Sequence, residues 1–228
     1  MNTDTLDSNS LLRLAQLMSP TLPVGAYAYS QGLEYAVNIG WIKDETSASD
    51  WIIGLLSNSM GRLDIPVFAR LHTAWLNADM DSVHYWSHFL RASRESAEMQ
   101  AEDRQLAVSL ARLLTDLGID SARPWKDPHH STWATIFSLA CVHWQIPLRE
   151  SATGYLWAWT ENQIAAAIKL VPLGQTAGQR ILSRAIEAIP NTIKCGLSIN
   201  DDDIGFLTPG LAIASALHET QYTRLFRS

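Results

Sequence analysis

Histidine has the clearest potential for chemistry in this sequence, because seven imidazoles are present. His84 and His88 are four residues apart, so a helix would place both on one face, where two imidazoles can chelate a transition metal. His129 and His130 are adjacent, and His143 follows them. No cysteine or carboxylate completes a set with the spacing of a known metal site. We therefore interpret these histidines as loop and helix-cap residues, and we predict no metal ligand and no cofactor.

Motifs that bind nucleotides or catalyse hydrolysis are missing. The segment 174–180 is rich in glycine but lacks the lysine and the following hydroxyl of a phosphate-binding loop, so we expect no GTP or ATP binding by this chain alone. His218 and Glu219 begin a segment whose sequence is close to the zinc-protease motif H-E-x-x-H. Tyr222 stands where that motif requires its second imidazole. We predict that the chain is not an enzyme and has no catalytic residue.

Two groups of charged residues need interpretation. A predicted long helix begins with a group of charged residues in which Arg94 can pair with Glu98 at i, i+4, and such a group is typical of a solvated helical face. The group is Arg94, Glu95, Glu98, Glu102 and Arg104. Lys169 is flanked on both sides by apolar residues, and we expect its stem to extend to the surface. Contact with a partner protein is the alternative for both groups.

The last eight residues, 221–228, place large apolar groups between arginines at a chain end that would otherwise fray. Tyrosine, arginine and phenylalanine are the residue types that contribute most to protein interfaces. We predict that residues 221–228 form a partner-binding tail.

Composition indicates the elements that must position these residues. Hydrophobic residues make up 47% of the 228 residues, enough for a substantial core, and 29 Leu and 27 Ala against 7 Val favour helices. We predict an all-α fold, a single globular domain of roughly ten helices arranged like a bundle. Residues 1–9 are expected to be flexible and residues 10–220 to form the helical domain. The predicted helices lie at about 11–18, 30–37, 50–60, 65–76, 82–90, 93–117, 132–144, 148–171, 176–189 and 209–220.

Local signals set several of these boundaries. Ser10 and Asp64 are predicted N-caps, and Gly118 is predicted to end the long helix. Thr176 and Gln179 have the spacing of a capping box. The segment 118–128 is the only candidate linker, and it is short enough to be an ordinary connection between two helices.

Charge and targeting signals exclude several classes of partner. A net charge of −6 gives no footprint for nucleic acid, and no Lys or Arg cluster interrupts the acidic balance. The sequence has no signal-peptide pattern and no apolar run that predicts a membrane span. Two distant cysteines fit a reducing compartment. We expect a cytoplasmic protein that binds neither nucleic acid nor membrane.

Three segments taken together resemble the urease accessory protein UreF family. They occur in order along the chain, and a fourth segment, 91–98, is similar as well. The three segments are Leu22 to Glu34, Lys169 to Gln175 with Gln179 and Arg180, and His218 to Ser228. Ala26 and Gln31 depart from the usual glycine and histidine, which argues against a nickel ligand or an acid–base group at position 31.

The resemblance implies an all-α accessory protein without enzymatic activity that acts in nickel insertion into apo-urease. It implies a homodimer that pairs with a UreD-type protein, recruits the nickel-carrying GTPase UreG and helps couple GTP hydrolysis to metal delivery. Lys169 or Arg94 is a candidate for stabilising the transition state in trans. The resemblance implies partner contacts, or the geometry that supports them, at Tyr29, Ser30, Gln31, Glu34, Arg94, Glu95, Lys169, Pro172, Gly174, Gln175, Tyr222, Arg224, Leu225 and Phe226.

Two other functions stay open on sequence alone. A small helical enzyme could use the residues around Arg94 and His84, and a pocket with strongly shifted pKa values would favour it. A generic helical dimer could serve as an adaptor unrelated to urease.

Overall fold

Ten α-helices and no strand make up the part of the chain that the structure describes, residues 6–127, 130–205 and 208–228 of a computed structural model. The all-α prediction is confirmed. The helices are α1 (Ser8–Met18), α2 (Leu33–Asn38), α3 (Glu45–Leu55), α4 (Ile65–Leu76), α5 (Met80–Ala92), α6 (Ala97–Asp116), α7 (Trp133–His143), α8 (Leu148–Leu170), α9 (Gln175–Leu197) and α10 (Pro209–His218). His129 lies outside the described residues.

The largest hydrophobic cluster lies among α4, α6, α7 and α8. Its centre is aromatic, with the Phe68 ring centroid 5.0 Å from that of Tyr155 and 6.2 Å from that of Phe137. A second cluster joins α2, α3, α8 and α9, and it includes Leu33, Ile164 and, from the end of the chain, Phe226. Burial of these leucine, isoleucine and aromatic side chains is the main favourable term in the stability of the fold.

The structure corrects two predicted caps at the start of the chain and at residue 64. Asp7, not Ser10, caps α1, and residues 8 and 9 are already helical, while the Ser10 hydroxyl donates to the Trp144 carbonyl. Asp64 does not begin a helix. It has helical backbone angles and lies at the end of a π-helix, residues 56–64, that joins α3 to α4 without a break. Its carboxylate is used in a buried ion pair instead of a cap.

Helix α9 also differs from its prediction at both ends. Gly174 is its N-cap and no side chain caps it, so the predicted box of Thr176 and Gln179 is absent. The helix continues through Pro190 to Leu197, eight residues past the predicted end. Gly196 lies so close to the π-helix that an added Cβ would be 2.7 Å from the Gly61 carbonyl oxygen. We attribute the continuation to this packing, which offsets the hydrogen bond that proline cannot donate.

The described part of the candidate linker, residues 118–127, packs against the main cluster as a connection between two helices. Residues 120–126 form a 3₁₀ segment whose Ala122 and Trp125 are buried against the main cluster. Helix α6 begins at Ala97 with Ser96 as its cap, four residues later than predicted, and ends before Gly118, whose φ of 88° is the left-handed conformation expected at a helix terminator.

Candidate functional site

The C-terminal tail, residues 221–228, folds back onto the domain. The Arg227 amide donates to the Ala28 carbonyl at 2.8 Å, and the Ser30 amide donates to the Ser228 carbonyl at the same distance. Phe226 is 6% exposed and Ser228 is 1% exposed. We had expected this segment to fray without a partner protein, but the chain supplies a docking site for it.

Glu34 is the central acceptor of the docked tail. Its carboxylate accepts the amides of Leu225 and Phe226 at 2.6 and 2.8 Å, and it lies 3.2 Å from the His218 imidazole. Gly32 allows this geometry, since its φ is 76° and an added Cβ would be 2.9 Å from the Ser215 amide nitrogen of α10. The text Gln-Gly-Leu-Glu therefore turns the chain tightly and aims a carboxylate at the tail.

Glu98, in the first turn of α6, forms the second anchor. Its carboxylate is 2.6 Å from the His218 ring and 2.6 Å from the Arg224 guanidinium. His218 is fully buried, and its two ring nitrogens face Glu98 and Glu34. The end of α10 is thus held between two carboxylates that both bind the tail.

Glu102 forms the third anchor, one turn further along α6. It accepts the Gln31 amide at 2.8 Å and the Ser228 hydroxyl at 2.9 Å, and Gln31 in turn accepts the Trp159 indole N–H at 2.7 Å. Burial raises the pKa of Glu102 to about 7. This carboxyl group therefore changes charge near neutral pH at the point where the chain ends.

Arg94 lies beneath this site and is buried, so the predicted solvated face and its pairing with Glu98 are wrong. Its guanidinium binds both oxygens of Asp64, at 2.8 and 3.2 Å, and Asp103 at 3.3 Å. The Tyr155 hydroxyl donates to Asp64 at 2.9 Å. Burial alone would lower the pKa of Arg94, but the two carboxylates hold it well above its usual value. Every charge of this cluster is paired.

A cavity of about 80 Å³ is lined by the Arg94 cluster and by Glu102. That volume accommodates several water molecules. Burial raises the pKa of Asp103, on the cavity wall, as it does for Glu102. Glu95, next to Arg94, is half-buried, and burial raises its pKa as well. A pocket with shifted groups was the feature we expected of an enzyme, so geometry alone does not exclude that function.

Lys169 connects the tail to the turn between α8 and α9. Its ammonium lies over the Phe226 ring, 5.6 Å from the centroid, a cation–π geometry. Lys169 is exposed, as predicted. The flanking turn contributes Val171 and Leu173 to the cluster that holds Phe226. Its exposed residues are Pro172, Gly174 and Gln175.

Apart from the half-buried Glu95, the predicted partner residues fall into two classes. One class is largely buried and holds the tail or the core: Tyr29, Ser30, Gln31, Glu34, Arg94 and Phe226. The other is exposed around the tail: Lys169, Pro172, Gly174, Gln175, Tyr222, Arg224 and Leu225. We missed the roles of Glu98, Glu102, His218 and Ser228. The i, i+4 spacing of Glu98 and Glu102 was the available signal, but nothing in the sequence joined them to the tail.

Exposed apolar side chains occur on both the tail and α10. Tyr222 is fully exposed and Leu225 is 67% exposed, and on α10 Ile213 is 48% and Leu217 is 43% exposed. Ile213 and Leu217 are four residues apart and share one face of α10. Patches of exposed apolar side chains are characteristic of a protein interface.

Within residues 6–127, 130–205 and 208–228, no group of three or more His, Cys, Asp or Glu side chains is placed so that it could hold a metal ion. No helix in these ranges is long and apolar enough to span a bilayer.

Comparisons with known proteins give one consistent result. The family model UreF matches residues 42–186. The chain is 52% identical over 228 residues to the urease accessory protein UreF of Alkalilimnicola ehrlichii, which covers 100% of both chains. It is 45% identical over 219 residues to UreF of Hahella chejuensis, covering 96% of this chain and 98% of that one. With UreF of Teredinibacter turnerae it shares 47% over 222 residues, covering 97% and 100%.

Proposed function

The chain belongs to the UreF family of urease accessory proteins, and from this premise we propose that it pairs with a UreD-type protein and recruits the nickel-carrying GTPase UreG. In this proposal the assembled complex couples GTP hydrolysis to nickel insertion into apo-urease. Nickel is the cargo of the complex, and we place no nickel ligand in the tail site.

Family membership also decides between the functions that sequence and geometry left open. A UreF protein is an accessory protein and not an enzyme. The buried cluster of Arg94, Asp64 and Asp103 is accordingly interpreted as structural. No observation favours an adaptor unrelated to urease.

The observation that carries the proposal is the docked tail with its exposed apolar side chains. Phe226 is buried against the domain, while Tyr222 and Leu225 of the tail and Ile213 and Leu217 of α10 are exposed. Burying these four side chains against a partner would stabilise a complex without unfolding the tail. We propose that this surface, with Arg224 at its edge, binds the UreD-type protein.

The exposed residues at the turn between α8 and α9 support a separate contact with the GTPase. We propose that Lys169, Pro172, Gly174 and Gln175 face UreG, and that Lys169 acts on hydrolysis in trans. Arg94 is not a candidate for acting on GTP hydrolysis in trans, because two buried carboxylates bind its guanidinium. Tyr29, Ser30, Gln31, Glu34 and Glu95 support the geometry of the site.

The last part of the proposal concerns the oligomeric state and the cellular compartment of the protein. We propose that it works as a homodimer in the cytoplasm. Both cysteines, Cys141 and Cys195, are free thiols, which is consistent with a reducing compartment.

The tail surface is tested by capture of the purified UreD-type protein with Leu225→Asp. We expect capture to fall at least about tenfold, since a charge would have to be buried in the interface. Leu12→Asp is the matched control, because Leu12 is 69% exposed on α1, outside the tail and α10. Equal capture by the parent and Leu225→Asp would contradict the proposed interface.

The biological role is tested in cells that carry the complete urease cluster but lack only this chain. We expect low urease activity at normal subunit abundance, with rescue by the parent chain and not by Leu225→Asp. Full activity without the chain would reject the maturation role.

A further inference from the structure

Both ring nitrogens of His218 face a carboxylate oxygen. Nδ1 lies 2.6 Å from Glu98 and Nε2 lies 3.2 Å from Glu34, and the His218 side chain is fully buried. A neutral imidazole carries one N–H and one lone pair, so it can donate to only one of these carboxylates. The imidazolium cation donates to both. The arrangement therefore fits the charged ring.

Other donors hold both carboxylates in their anionic form. Glu34 accepts the amides of Leu225 and Phe226, one on each of its oxygens. The second oxygen of Glu98 lies 2.6 Å from the Arg224 guanidinium. Hydrogen bonds to a carboxylate favour its ionised state. A proton in this cluster consequently belongs on the imidazole and not on either glutamate.

The charges around the imidazole balance only when it is protonated. Helix α2 contributes Glu34, α6 contributes Glu98 and the tail contributes Arg224, which are two negative charges and one positive charge. The next residue of the chain, Glu219, uses its carboxylate to accept the amides of Ala97 and Glu98 at the start of α6. Desolvation disfavours a buried cation, but two anions within hydrogen-bonding distance offset that cost.

The same imidazole joins the tail to the helices that receive it. Leu225 and Phe226 bind Glu34, and Arg224 binds Glu98. If the ring loses its proton, one of the two carboxylates faces a lone pair and loses a hydrogen bond that positions it. Loss of the proton therefore weakens the groups that anchor the tail.

We propose that His218 is an imidazolium at neutral pH and that docking of the tail, residues 221–228, takes up its proton. In water an imidazole loses its proton above about pH 6.5. The state with the tail docked then binds more protons than the state with the tail released, so docking weakens as the pH rises, by up to about tenfold for each pH unit. This inference concerns the chain alone and does not rest on the proposed role in urease maturation.

The charge of the ring is tested by nitrogen NMR of the full chain, labelled with ¹⁵N-histidine, at pH 7.5. Both ring nitrogens of His218 should have the chemical shifts of an imidazolium, whereas the exposed His143 should be mainly neutral. His218→Gln assigns the signals by their loss. Glu98→Gln should reduce the protonated fraction of His218, because one anion beside the ring is removed. Shifts of a neutral His218 ring in the parent chain would overturn the proposal.

The docking of the tail is tested by hydrogen exchange of the Leu225 and Phe226 amides, expressed as protection factors, which remove the pH dependence of exchange itself. The chain used carries Glu102→Gln, because Glu102 has a pKa of about 7 and binds the Ser228 hydroxyl. Protection should fall about tenfold between pH 6.5 and pH 8.5. Addition of His218→Gln should leave weak protection that is the same at both pH values.

Equal protection at pH 6.5 and pH 8.5 in the Glu102→Gln chain would overturn the proposal. So would a tenfold fall that persists after addition of His218→Gln, because another group would then be its source. His143→Gln is the matched control and should keep the full pH dependence. Circular dichroism of each variant verifies the fold.

Discussion

At the scale of single residues, burial decides which charges matter. The guanidinium of Arg94 is 11% exposed and shared by two carboxylates, whereas Arg184 pairs with Asp50 at 3.4 Å with both side chains more than half exposed. The two arginines have the same chemistry in different dielectric surroundings. Their removal should therefore have very different costs.

Arg94→Ala should lower the free energy of unfolding by about 3–5 kcal/mol, because Asp64 and Asp103 would be left buried without a cation. Urea unfolding at pH 7 measures this loss. Arg184→Ala is the matched control and should cost at most about 1 kcal/mol. A similar small loss in both variants would contradict the structural role assigned to the Arg94 cluster.

Glu102 makes stability depend on pH near neutrality. Its pKa is about 7 in the folded protein, against 4.5 for an unperturbed carboxyl, so folding favours the protonated form. The stabilising contribution of this proton is fully present below pH 4.5 and is lost as the pH rises through 7. Ionisation of the buried carboxylate at pH 8 therefore opposes folding.

Glu102→Gln should remove this dependence, since the amide can accept from Gln31 and donate to Ser228 as the protonated acid can. Urea unfolding at pH 8 should show the variant to be more stable than the parent by up to about 3 kcal/mol. At pH 5.5, between the two pKa values, the difference should fall to about 1.4 kcal/mol. The same difference at both pH values would show that charge on Glu102 is not its cause.

Sequence reasoning at this scale singled out the tail and the segment 29–34 as partner-binding residues, but it did not predict that they bind each other. Glu34 and Leu225 are separated by 191 positions, and their hydrogen bond becomes visible only in the fold. Arg94 was misread for a related reason. Its partners Asp64 and Asp103 lie on other parts of the chain, and only Glu98 had the local spacing that predicts a pair.

At the scale of elements, the period of apolar residues predicted the helices well. Helix α8 spans Leu148–Leu170 against a prediction of 148–171, because flanking prolines at 147 and 172 mark both ends. Errors occurred where packing overrides local signals. Pro190 predicts a helix end, and Asp64 predicts a helix start, yet contacts between α9 and the π-helix carry the chain through both.

Two glycines test this packing of α9 on the π-helix. An added Cβ on Gly196 would lie 2.7 Å from the backbone oxygen of Gly61, and backbone cannot rotate away. Gly196→Ala should therefore destabilise the protein by about 1–3 kcal/mol.

Gly54→Ala is the control, since no atom lies within 4 Å of an added Cβ inside α3. That variant should be neutral or more stable by up to about 1 kcal/mol, from helix propensity. Thermal unfolding of the two variants measures both effects. If Gly196→Ala unfolds like the parent, the close contact does not determine the path of α9.

At the scale of the whole molecule, the tail contacts the segment 28–34, the start of α6 and the end of α8. Residues 224–228 contact Ala28 to Glu34, the start of α6 and Lys169 at the end of α8. These are the segments that carried the family resemblance, and the fold brings them to one place. A surface built in this way depends on the tail for its shape as well as for its exposed side chains.

Deletion of Tyr222–Ser228 should therefore lower both the stability of the protein and its capture of the UreD-type protein. Loss of Phe226 burial and of the bonds to Glu34 should lower the free energy of unfolding by roughly 2–5 kcal/mol, with helix content by circular dichroism retained. Capture of the UreD-type protein should be lost as well.

Two point variants separate these effects. Leu225→Asp should lose capture but keep the stability of the parent, because Leu225 is exposed. Phe226→Ala should lower the free energy of unfolding, because Phe226 is buried. If the truncated chain is as stable as the parent, the tail is not docked in solution. If the truncated chain still captures the UreD-type protein, the interface lies elsewhere.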